Sequence, residues 1–189
     1  MWKTLDTSAT PGLPAMKRIQ RDEALFLARM REHAGIVRKV AASYSRNESD
    51  RRDLEQEILA QLWKAFPSHD EGRPFSTWMY RVALNVAISF ARSQRWREPE
   101  PASLAEHAIE TIGDEDVERE HGVRELRVFI AGLDELNRAL ILLYLDEHSY
   151  REIADILGIS ETNVATKINR VKQRLRATMN PEETNHGTR

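Results

Sequence analysis

There is no cysteine among the 189 residues, which excludes disulfides and any zinc site built on thiolates. The six histidines are scattered without the close pairing of a metal site, so neither a metal nor a cofactor is expected. No apolar run approaches the roughly 20 residues that span a bilayer, and the N-terminus lacks the apolar core of a signal peptide. The expected location is the cytoplasm. Also missing is a convergent set of carboxylates or histidines at metal spacing, which argues against a nuclease or another nucleic-acid enzyme. What remains is 41% hydrophobic and 31% charged, the make-up of a soluble, helix-leaning chain of one or two domains.

A large excess of either charge is lacking too, since the formal net charge is −2. Along the chain, however, the charges segregate. From Arg73 to Arg97 there are five arginines and no acid, whereas Glu98 to Glu120 carries nine acids against Arg119 alone. With Pro99, Pro101 and Gly113 and only weak periodicity, the acidic stretch reads as a linker over 98–119 between two helical domains. Such a linker is either a solvated loop that repels nucleic acid or a segment that lies in a basic channel of a partner.

The most specific pattern is SYREIADILGISETNVATKINRVKQRLR, from Ser149 to Arg176. Ser149 is placed to cap a helix with inward Ile153, Ala154 and Leu157, and Gly158 supplies the positive backbone torsion that ends it. Ile159 plugs the corner, Ser160 caps a second helix, and Val164, Ile168, Val171 and Leu175 form its buried stripe. Small Ala154 sits where the two helices must approach closely. Between Glu161 and Ala177 the basic residues Lys167, Arg170, Lys172, Arg174 and Arg176 face one acid, a net +4 that seeks phosphate. This is the pattern of a DNA-binding helix-turn-helix; the alternative is a helical hairpin with a solvated basic face.

Residues 1–21 read as a disordered tail, and 22–97 as the first domain. Asp22 to about Tyr44 carries Leu25, Phe26, Met30, Ile36, Val37 and Val40 at helical spacing. Asp53 to Phe66 repeats the pattern with Leu54, Ile58, Leu62, Trp63 and Phe66. After the breaker-rich loop PSHDEGRP (Pro67 to Pro74), Phe75 opens a third helix that runs to about Arg97. On it Arg81, Asn85, Ser89 and Arg92 form one polar stripe, bordered by Trp78, Tyr80 and Trp96. Arginine anchors phosphate, asparagine reads a base edge, and aromatic faces stack on a base that has left the duplex. The alternative makes Phe75, Trp78 and Tyr80 core, and for Phe75 and Trp78 core is preferred. Asn85, alone in an otherwise apolar stretch, is preferred as functional.

Three ordered motifs, DLEQEILAQLWKAF, FSTWMYRVALN and SYREIADILGIS before a basic helix, resemble those of extracytoplasmic-function sigma factors of the sigma-70 family. The resemblance covers about residues 22–97 and 120–178. It implies an all-α chain of two helical domains, sigma region 2 and sigma region 4, joined by the acidic linker in place of region 3. By position, Asp53, Gln56, Glu57 and Trp63 would dock on the β′ clamp helices of bacterial core RNA polymerase. His69, Arg73, Arg81, Asn85, Ser89 and Arg92 would bind the minus-ten element, open it and capture a flipped base. Thr162, Asn163, Thr166, Lys167 and Arg170 would enter the major groove of the minus-thirty-five element, with region 4 also touching the β flap. The implied partners are core polymerase, promoter DNA and an anti-sigma factor.

Two positions depart from the family pattern. Ala165 stands where relatives often carry a basic residue, and Lys167 where many carry arginine, which removes a bidentate guanine contact. The docking helix opens with SDRRDLEQE, where Arg51 and Arg52 interrupt a run that is strongly acidic in relatives. The competing reading is a free-standing helix-turn-helix regulator, which would need a ligand pocket or dimerisation helix in place of the aromatic-arginine helix. Residues 179–189 read as a disordered tail.

Overall fold

The computed structural model describes residues 13–97, 124–126 and 128–179. The linker 98–119 and residues 180–189 lie outside them, as do 1–12. Six longer helices define the architecture: α1 (Leu13–Tyr44), α2 (Glu48–Ala65), α3 (Phe75–Arg97), α4 (Glu135–Leu145), α5 (Tyr150–Leu157) and α6 (Glu161–Met179). Among the described residues there is no strand. The all-α expectation holds.

The first three helices pack on one another. Leu54, Ile58 and Leu62, four residues apart on α2, are fully buried against Val40 and Ala41 of α1 and Met79, Ala83, Leu84 and Ala87 of α3. Burial of each such leucine or isoleucine contributes about 1.5–3 kcal/mol. The last three helices form a second bundle around Leu140, Leu143, Ile153, Val164 and Ile168. The apolar cluster runs unbroken from one bundle into the other, because α3 packs on both α4 and α5.

Two helix starts differ from the sequence expectation. Helix α1 begins at Leu13, so residues 13–21 extend the helix expected from Asp22. Pro14 falls in its first turn, where a missing N–H costs nothing. Helix α2 begins at Glu48 because the side chain of Asn47 accepts the N–H of Asp50 at 2.8 Å, a cap that lies ahead of the apolar period. Helix α3 has the expected bounds. Inside α1 the backbone at His33 leaves helical torsions (φ −115°, ψ 16°) and kinks the helix.

Candidate nucleic-acid interface

The helix-turn-helix is built as its residues dictate. Ser149 accepts the N–H of Glu152, while the Glu152 carboxylate accepts the backbone N–H of Ser149 at 2.8 Å, a reciprocal capping box. The Ser149 hydroxyl also donates to the Glu152 carboxylate at 2.7 Å, and this bond together with that from the Ser149 backbone holds the Glu152 carboxyl below its usual range. Gly158 takes φ +67° and ends α5, and the N–H of Asn163 donates to Ser160 Oγ at 3.2 Å to start α6. Val164, Ile168 and Val171 are buried and Leu175 is half-buried. On α5 the buried pair is Ile153 and Ile156. Ala154 and Leu157, expected inward, are half-buried and pack against the core cluster.

Thr162, Asn163, Thr166 and Arg170 are exposed together on α6. Lys167 is half-buried, and its charge reaches Asp134. Burial alone would raise the Asp134 carboxyl, but hydrogen bonds from Asn137 and the charge of Lys167 hold it below the usual range. Lys172 corrects the picture of a wholly outward basic face. Its ammonium donates to the Tyr144 hydroxyl at 2.6 Å and lies 4.1 Å from the centre of that ring, so it is anchored within its own bundle.

On α3, Asn85, Ser89 and Arg92 are exposed in one line, with the Ser89 hydroxyl bonded to the Asn85 carbonyl at 2.9 Å. Arg81 is half-buried and turns toward α5. Phe75 is buried and Trp78 half-buried against the core. Tyr80, read as a border aromatic, is instead buried and donates to Asp146. Burial first, and then that hydrogen bond, push its phenol pKa upward. It has no face left for a base. The side chain of Trp96 lies outside the described residues.

The His69 ring stacks on Phe75 (5.3 Å, 14°) and sits 5.0 Å from Trp78, with its Nε2 buried and without a hydrogen-bond partner. It borders an open groove of about 860 Å³, lined also by Asp22, Arg29, Glu71, Arg73 and Phe75. Arg29, whose guanidinium lies 5.9 Å from the Phe75 ring centre, was not singled out in the sequence; it sits on a different helix, so no spacing connects it to the loop. In the loop itself Asp70 Oδ1 accepts the Gly72 N–H at 2.9 Å and the Asp70 carbonyl accepts that of Arg73 at 3.0 Å.

The outer face of α2 is separate from both. Asp53, Gln56, Glu57 and Trp63 are all exposed, and Leu59 joins them. The Trp63 ring is braced edge-on against Phe26 at 5.1 Å. Arg51 and Arg52 form ion pairs within the helix: Arg51 with Glu48 at 2.7 Å and Glu55 at 3.9 Å, and Arg52 with Glu48 at 3.0 Å. They neutralise the first turn and leave Asp53 and Glu57 outward.

A family model described as Sigma-70 region 2 matches residues 30–97, and one described as Sigma-70, region 4 matches residues 124–175. The chain belongs to the extracytoplasmic-function group of sigma-70 family sigma factors. It is 25% identical over 174 residues to the RNA polymerase sigma factor SigV of Bacillus subtilis (strain 168), covering 89% of this chain and 99% of that one. With the ECF RNA polymerase sigma factor SigM of the same organism it shares 27% over 133 residues, 68% of this chain and 78% of that. The fold is similar to that of the sigma factor RpoE crystallised with the anti-sigma factor NepR from Bartonella quintana. There the TM-score is 0.62 at 20% identity, over 88% of this chain and 99% of that. The second half of α1 with α2 and α3 thus falls in region 2, and α4, α5 and most of α6 in region 4. Among the described residues no helix is long and apolar enough to cross a membrane.

Proposed function

We propose that this sigma factor docks on core RNA polymerase through the outer face of α2, with Asp53, Gln56, Glu57 and Trp63 at the contact. It then recognises the minus-thirty-five element through Thr162, Asn163, Thr166, Lys167 and Arg170, and opens the minus-ten element with His69, Arg73, Arg81, Asn85, Ser89 and Arg92. It performs no covalent chemistry and takes no cofactor, and it acts in the cytoplasm. Unstacking a base costs a few kcal/mol, which a pocket beside phosphate anchors offsets. The groove at His69, lined also by Arg73, is the observation that carries this reading; Asn85, Ser89 and Arg92 add an outward polar line farther along α3. The acidic segment 98–119 would lie in a basic channel of polymerase. An anti-sigma factor is the expected regulator, as for the RpoE relative with NepR.

Run-off transcription with purified core polymerase, with and without the chain, tests the reading. Promoter-dependent transcript is expected only with the chain. Reversing Asp53 and Glu57 to lysine should weaken core binding while leaving the helical content unchanged. A free-standing regulator would neither bind core nor restore initiation.

A further inference from the structure

Arg81 belongs to the polar stripe of α3, yet it reaches the other bundle. Its Nε donates to the Ile156 carbonyl at 3.3 Å, its Nη2 donates to the Asp155 carbonyl, and the same Nη2 lies 3.7 Å from the Asp155 carboxylate. Both carbonyls belong to the last turn of α5, where unpaired carbonyls gather negative charge. Arg73 donates to both Asp155 carboxylate oxygens at 3.3 and 3.4 Å. To these two arginines, the end of α5 presents what a phosphate would: an anionic oxygen pair and outward acceptors. A second aspartate, Asp146, accepts from Tyr80 and pairs with Lys39 on the same boundary.

We infer that Asp155 and Asp146 form an intramolecular latch in which region 4 occupies Arg73 and Arg81, two region 2 arginines that would hold single-stranded promoter DNA, so that the free chain binds a melted strand weakly until the strand's phosphates displace Asp155. This rests on the assignment of Arg73 and Arg81 to the minus-ten site proposed above. The latch is one-sided. Thr162, Asn163, Thr166 and Arg170 stay exposed in the closed form, as do the outer face of α2 and the line Asn85, Ser89 and Arg92, so the latch engages only the two arginines Arg73 and Arg81. It is also reversible by design of its geometry, because the side chains of Arg73, Arg81 and Asp155 are each 42–54% exposed and such pairs are individually weak in water.

The absence of native cysteine allows a clean test on the full chain. Donor and acceptor dyes on Ala42→Cys and Gln173→Cys, exposed positions on α1 and α6, report closure by energy transfer. Anisotropy of a fluorescein-labelled, mixed-sequence single-stranded DNA reports binding. Asp146→Ala with Asp155→Ala should lower the transfer and bind that strand about fivefold or more tightly, the lower end of ordinary coupling between sites. Asp155→Ala alone should give a smaller change in the same direction, with circular dichroism confirming the helices. The charge-matched Glu23→Ala with Glu32→Ala should leave both readouts unchanged. The latch is overturned if the double variant stays as closed as wild type, if it opens without tighter binding, or if the control tightens equally. Run-off transcription by wild type decides the sigma reading separately, since a chain that opens on substitution yet supports no transcript keeps the closure and loses the assignment.

Discussion

Tyr80 of region 2 donates its phenolic hydrogen to the carboxylate of Asp146 in region 4, and Lys39 pairs with the same carboxylate. The Tyr80 pKa is raised by burial and then by that bond, so the folded state prefers the neutral phenol. Its contribution is complete below the ordinary phenol value of about 10 and is lost as pH climbs toward the raised folded value. Tyr80→Phe should therefore lower stability by about 1.5–3 kcal/mol at neutral pH, the range for a bond to a charged acceptor, and should remove part of the alkaline loss. Urea unfolding at neutral and alkaline pH measures both. Tyr44, raised chiefly by burial, keeps an alkaline component in the variant.

Arg138 is buried in region 4 and donates to the carbonyls of Ser43 at 3.1 Å, of Leu133 at 3.1 Å and of Ala131, with its guanidinium over the Tyr44 ring at 5.2 Å. It caps the end of α1 just as Arg81 caps the end of α5. Arg138→Met should cost about 2–4 kcal/mol, because several buried carbonyls lose their donor at once. Arg138→Lys should recover only a small part, since one ammonium cannot reproduce the planar fork. Equal stability of the arginine and methionine proteins in urea would show that those carbonyls find other partners.

Lys167 is half-buried on α6 and its charge acts on Asp134. Lys167→Ala should weaken a specific minus-thirty-five duplex by about 1–3 kcal/mol if the ammonium reads a base, with a smaller loss on random duplex. Gel shift on the two duplexes separates the cases, and equal losses would make Lys167 a backbone anchor only.

Local chemistry made much of this legible in advance. The Ser149 cap, the left-handed Gly158 and the bounds of α3 follow from residues within a few positions of each other; the reciprocal bond from Glu152 emerges only in the structure. So does the outward placement of Asp53, Gln56 and Glu57, which the four-residue period of Leu54, Ile58 and Leu62 forces. The boundary between bundles was not legible. Asp146, Asp155 and Lys39 have no shared spacing, and Tyr80 carries the same residue type whether it stacks on a base or fills a core. Lys172 was misread for a related reason, because its partner Tyr144 lies on another helix.

In the proposed mechanism the exposed line on α3 captures the opened strand. Permanganate reactivity of minus-ten thymines, measured on duplex promoter with holoenzyme carrying wild type or Asn85→Ala, tests it most directly. Asn85→Ala should lower reactivity more than it lowers closed binding in a gel assay, and a prebuilt bubble should partly rescue it, since the unpairing cost is then already met. Equal permanganate reactivity of the two proteins on duplex promoter would contradict it.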